Sequence, residues 1–278
     1  MQRTMKRVAL YTLSIVFTLN LAMPAQAMDI PEDSLKSVAW GYMVKDFILP
    51  EDKNAKKIIM NDAVKVYAPK VAENQMTIPV HVDASAIKNV QKIVVIADLN
   101  PIPKVLTYEP LLSDARLSFR IKLQQGSPVR AAVLDDKGTW HIAGTYVDAA
   151  GGGCTAPALA YGEADWTATL ARVRAKVWRQ TGKSASKVRL TIKHPMDTGL
   201  ADGIPKFYVE KLEVKDLDGS TYGRLSIFEP VSENPTLTLF PRLRDSVQQV
   251  KIEGRDSEGN QIRVKVPAPI QSSALNLE

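Results

Sequence analysis

Cysteine occurs once in this 278-residue chain, at Cys154, and three consecutive glycines precede it, Gly151, Gly152 and Gly153. A thiolate is a nucleophile and can exchange sulfur–sulfur bonds, so the residue type allows covalent chemistry. Three glycines in a row cannot fill a core and tolerate positive φ, which predicts a mobile segment that presents the thiol outward. A catalytic cysteine needs a neighbouring cation, histidine or helix N-terminus and a rigid oxyanion site, and a glycine arm supplies no such frame. An arm suits carrying a bound group between other proteins. Extended at ~3.3 Å per residue, residues 149–165 would span roughly 50 Å, with the apex reaching about half that because both ends are tied. A linker that merely acquired a cysteine, or a cysteine half buried at a domain boundary, is the plainer alternative.

Other candidate groups are sparser. His81, His141 and His194 show no ligand spacing with a cysteine or with one another, so neither a metal nor another cofactor is expected. His81 and His141 fall in strand patterns. The run His194-Pro195-Met196-Asp197-Thr198-Gly199 predicts a shaped loop, either a turn in which Asp197 and Thr198 bond the backbone or a contact loop in which His194, Met196 and Asp197 face the arm. Trp40, Trp140, Trp166 and Trp178 have no regular spacing, and core or interface packing is expected of each.

The elements that must position the thiol are strands. From Ala63 the apolar pattern has period two; Ala115, Leu117, Phe119, Ile121 and Leu123 alternate with Arg116, Ser118, Arg120 and Lys122 as a half-buried antiparallel strand should. Strands are expected over 64–67, 76–82, 92–97, 104–108, 115–123, 129–134 and 139–146. A second series follows over 171–177, 188–192, 209–214, 225–227, 236–239, 250–252 and 262–266. The fold class is therefore all-β, two sandwich domains of about seven strands each, over 62–149 and 169–270. Between them lies the arm and linker, 150–168; before them a partly helical segment, 28–61; after them a tail, 271–278.

Arg3, Lys6 and Arg7, an apolar run, and Ala25-Gln26-Ala27 predict a secretory signal peptide over 1–27, cleaved before Met28, and hence a periplasmic protein with no membrane attachment after cleavage. Its removal halves the formal net charge of +6, and the other charges interleave, so no nucleic-acid surface is expected. A lone cysteine in an exported chain has no partner for a structural disulfide.

Several of these stretches resemble a known pair of proteins. Ala68-Pro69, Ala72-Glu73-Asn74, Ile78-Pro79-Val80, Asn100-Pro101-Ile102-Pro103 and the Gly-Gly-Gly-Cys run resemble SoxY, the cysteine carrier of sulfur oxidation. Ala171-Arg172-Val173-Arg174-Ala175, His194 to Leu200, and Glu229-Pro230-Val231-Ser232-Glu233-Asn234-Pro235 resemble its partner SoxZ. The resemblance implies immunoglobulin-like and fibronectin III-like sandwiches, a substrate attached at Cys154, and presentation to periplasmic enzymes of cytochrome and hydrolase type. In SoxY the arm ends the chain as Gly-Gly-Cys-Gly-Gly, whereas Thr155-Ala156-Pro157-Ala158 and a second domain follow here. The fused arrangement is similar to carriers associated with quinoprotein dehydrogenases, which implies a role beside alcohol oxidation, with thiosulfate not the required cargo. Three functions follow in order: a covalent carrier that is not an enzyme, a non-covalent accessory of such a dehydrogenase, and a thiol peroxidase.

Overall fold

The computed structural model describes residues 28–179 and 185–269. The expected signal peptide and the 271–278 tail lie outside the described residues. The first half contains β1 (Lys57–Met60), β2 (Lys65–Tyr67), β3 (Ile78–Asp83), β4 (Lys92–Ala97), β5 (Lys104–Glu109), β6 (Ser113–Ile121), β7 (Ser127–Leu134) and β8 (Thr139–Val147). The second contains β9 (Val173–Trp178), β10 (Lys187–Ile192), β11 (Val209–Asp216), β12 (Thr221–Ile227), β13 (Thr236–Pro241), β14 (Gln249–Asp256) and β15 (Gln261–Pro267). The architecture is all-β. Period-two burial is plain in β6, where Ala115, Leu117, Phe119 and Ile121 point inward.

The two halves do not form separate sheets. One nine-stranded sheet runs β1-β8-β7-β4-β5-β12-β11-β14-β15, and one six-stranded sheet runs β2-β3-β6-β13-β10-β9. The halves meet where β5 pairs antiparallel with β12, Tyr108 opposite Leu225, and where β6 pairs with β13, Leu117 opposite Leu239. Strand edges that would otherwise expose unpaired N–H and C=O groups are thereby closed. A single apolar core passes beneath the seam, from Val80, Leu117 and Phe119 to Leu190, Leu212 and Val250. Edge pairing between the halves joins their interiors into this one core.

A second, smaller core lies on the opposite face of the nine-stranded sheet. The helical segment α1 (Trp40–Met43), continued by wider and tighter turns to Glu51, packs Trp40, Met43, Val44 and Ile48 onto Val94, Ile96, Ala132, Leu134 and Trp140. With both faces covered, β4 and β7 read as continuous apolar runs instead of alternating ones. The segment is held by Arg130, which is 1% exposed and donates to both oxygens of Asp33 at 2.7 Å and, through Nε, to both oxygens of Asp98 at 2.9 Å. Its guanidinium also lies 4.6 Å from the Trp40 ring. The strand β1 pairs parallel with β8, a pairing the charged stretch before it had hidden.

Candidate functional site

The strand end that follows β6 forms the floor of the site. Asn100, buried in the loop after β4, donates from Nδ2 to the Lys122 carbonyl at 2.9 Å and accepts from the Gln124 N–H at 2.9 Å. Leu123 is tied on its other side, its N–H donating to the Gln75 carbonyl at 2.9 Å. The glycine run lies along this floor. Gly152 donates to the Gln124 carbonyl at 3.2 Å and Gly153 to the Leu123 carbonyl at 3.1 Å. Gly151 and Gly152 have φ of 110° and 85°, and a Cβ on Gly153 would overlap the Gln75 and Leu123 carbonyl oxygens. The glycines therefore serve close approach as well as backbone freedom.

Cys154 follows and points inward. It is 1% exposed, which corrects the expectation of a mobile segment with an outward thiol. Its N–H donates to Gln124 Oε1 at 3.1 Å, and Sγ lies 3.7 Å from the Lys122 carbonyl, an acceptor that favours the protonated thiol. The second half contributes the cover. Thr198 Oγ1 donates to the Cys154 carbonyl at 2.5 Å while accepting from the Leu200 N–H. Glu233 accepts the N–H groups of Leu159 and Ala160 at 2.7 and 2.9 Å, and the Tyr161 hydroxyl donates to Asp197. Residues 151–161 are thus pinned on both sides of the cysteine.

Burial pushes the Cys154 thiol up to about 11, with the Lys122 charge opposing. Lys122 is itself 4% exposed and donates to the Met196 carbonyl. Burial pulls its ammonium below the usual lysine range, against the pull of Cys154, Asp197, Glu233 and Glu229. At neutral pH the docked thiol is neutral and a poor nucleophile. A cavity of about 280 Å³ lies beside the arm, with Lys122, Asp197 and Glu233 among its walls.

The loop residues divide. Met196 reaches Lys122 through its carbonyl and Asp197 reaches the linker through Tyr161. His194 faces the interior; it accepts the Met196 N–H on Nδ1 at 3.1 Å and turns Nε2 toward Asp256 at 3.5 Å. Burial lowers its pKa to about 4, with Asp256 opposing, so it stays neutral at physiological pH. His81 bonds Ser118 across the strands, and His141 bonds Asn61 and Asp135. Among the described residues no cluster of three or more His, Cys, Asp or Glu could hold a metal. Gln124, Thr198, Glu233 and Lys122 complete the site, although spacing alone assigned none of them to the cysteine.

The fold and site define a fused double sandwich with one thiol pinned on a glycine segment at the seam of its halves. The family model for the sulfur oxidation protein SoxY matches residues 52–154, ending on the cysteine, and the model for the sulphur oxidation protein SoxZ matches residues 174–267. The chain belongs to these families, as a fusion of a SoxY domain with a SoxZ domain. Among solved structures, the sulfur carrier protein SoxY from Chlorobium limicola f thiosulfatophilum is 23% identical, with a TM-score of 0.35, over 39% of this chain and 92% of that one. No curated protein matches.

Proposed function

We propose that this chain is a covalent carrier of a small sulfur-containing intermediate, attached to the thiol of Cys154 and presented to partner enzymes of periplasmic sulfur oxidation. The observation that carries this reading is the position of Cys154, the last residue of the SoxY match and the end of its glycine run. The docked pose is the resting state of the carrier. Loading requires residues 151–161 to leave their floor, because a neutral buried thiol does not attack. Once released, the thiolate can displace one sulfur from a donor that already contains a sulfur–sulfur bond, which leaves as a thiolate with no net change in oxidation. Joining it to a reduced sulfur species instead removes two electrons and two protons, so that route requires an electron-accepting partner of cytochrome type. Hydrolytic release is assigned to a separate partner enzyme of hydrolase type. The signal peptide expected over 1–27 supports a periplasmic location.

The buried thiol also favours a second reading, in which Cys154 is a packing residue and the chain is a non-covalent accessory of a quinoprotein dehydrogenase. The two are separated by the intact mass of the protein isolated without reductant from its native source. Under the carrier reading a reductant-labile increment is present in the wild type and absent from Cys154→Ser. A bare thiol under every growth condition favours the accessory.

A further inference from the structure

The outer face of β9 and β10 carries Arg174, Lys176, Lys187 and Arg189, continued by Arg172 before β9 and Lys193 after β10. Register aligns like charges. Arg189 lies directly opposite Lys176, and the Lys193 N–H bonds the Arg172 carbonyl, so those two cations are also neighbours. The flanking strand offers no countercharge, since Thr238 and Thr236 stand opposite Arg189 and Thr191. Lys176 and Lys187 instead both lie near the Trp178 ring, at 5.2 and 5.3 Å. Of the six cations, the described residues give only Lys193 a carboxylate on this face, Glu163 at 2.7 Å.

The other sheet of the same half is built differently. On β11, β12 and β14, Arg224 pairs with Glu213 and Glu109, Lys215 with Glu213, Lys251 with Glu253, and Arg255 with Glu210. Aligned like charges destabilise a sheet. The nine-stranded sheet also has them, Lys251 opposite Lys265 and Lys211 opposite Arg255, but its carboxylates answer Arg224, Lys215, Lys251 and Arg255. By contrast, β9 and β10 contribute no carboxylate at all, so their outer face is charged for something outside the fold. The basic face also adjoins the arm. A concavity of about 290 Å³ at its end is lined by Arg172, Arg174, Thr169, Thr191, Lys193 and Glu163, nine residues beyond the cysteine.

We infer that this face docks the acidic surface of a partner protein, with carboxylates of the partner answering Arg174, Lys176, Lys187 and Arg189 beside the arm. A lipid surface fits less well, because none of the large apolar side chains exposed among the described residues lies on β9 or β10. The carrier reading explains only why a partner comes here; the docking is measurable without it. An acidic partner would also compete with Glu163 for Lys193, which places docking next to the pinned segment.

The test uses the full chain as wild type, as Lys176→Glu/Arg189→Glu and as Cys154→Ser. Poly-L-glutamate represents an acidic protein face and phosphatidylglycerol vesicles an anionic lipid surface, and the change in tryptophan emission, to which Trp178 on this face contributes, reports binding. Poly-L-glutamate is expected to bind wild type and Cys154→Ser alike, to weaken as salt is raised, and to bind the double variant at least tenfold more weakly. Lys176→Glu alone is expected to raise the thermal midpoint, because it converts an aligned like-charge pair into an opposite one. Equal binding by wild type and double variant, or tighter binding of vesicles than of poly-L-glutamate, overturns the proposal. Absence of an adduct on Cys154 would count against the carrier reading and leave this result standing.

Discussion

Arg130 and Lys122 are both cations buried in the first half, at 1% and 4% exposure, and the fold treats them in opposite ways. Arg130 spends Nε, Nη1 and Nη2 on two carboxylates and stacks on Trp40. Among the described residues Lys122 has one hydrogen-bond partner, the Met196 carbonyl, and it faces a neutral thiol and a cavity. A buried cation with its charge answered locks its surroundings, whereas one left largely unanswered marks a place that can open at small cost. The N-terminal segment is therefore a fixed part of the fold, and on the carrier reading the cysteine segment is a docked part that is released for loading.

The largest effect that can break this contrast is at the lock. Arg130→Met strands Asp33 and Asp98 inside the protein, and breaking a buried pair costs about 3–5 kcal/mol, read as a lowered midpoint in chemical denaturation. A loss within experimental error would show that the Arg130 cluster does not hold the first half. The next effect is at the dock. Gly153→Ala places a Cβ against the Gln75 and Leu123 carbonyls, and the segment should lift so that iodoacetamide traps Cys154 at least tenfold faster, with the denaturation midpoint nearly unchanged. Unaltered trapping would mean that the glycine contact does not control access.

Much of this was legible in the sequence, and the reason for the rest is specific. Alternation revealed β6, and the apolar runs of β4 and β7 were legible as strands, because side-chain period is a local property. The cysteine and its glycines were legible for the same reason. Lys122 was not, since it continues the polar phase of β6 just past the strand and is buried where residues 151–161 and the loop at 194–198 fold over the strand end. Glu233 and Thr198 reach the arm from the second half, across a seam made by β5 with β12 and β6 with β13. Such pairings join residues more than a hundred positions apart, beyond the reach of any local pattern. Glycine was read as freedom, whereas at Gly153 it permits contact.

The account rests most directly on a thiol that is buried while docked and reactive only when released. The docked thiol is raised from an ordinary 9.0 to about 11, so the docked state holds its proton more tightly than the free arm does. Docking is therefore fully stable below the ordinary value and weakens about tenfold per pH unit as pH rises from there toward about 11. The decisive measurement is the rate of Cys154 alkylation in the native protein from about pH 7 to pH 10, beside the same protein unfolded in urea. The account predicts a native rate far below the unfolded one at pH 7 that keeps climbing tenfold per unit past the ordinary value of 9.0, where the unfolded thiol levels off. A native rate that matches the unfolded one and levels off at the same pH would contradict it.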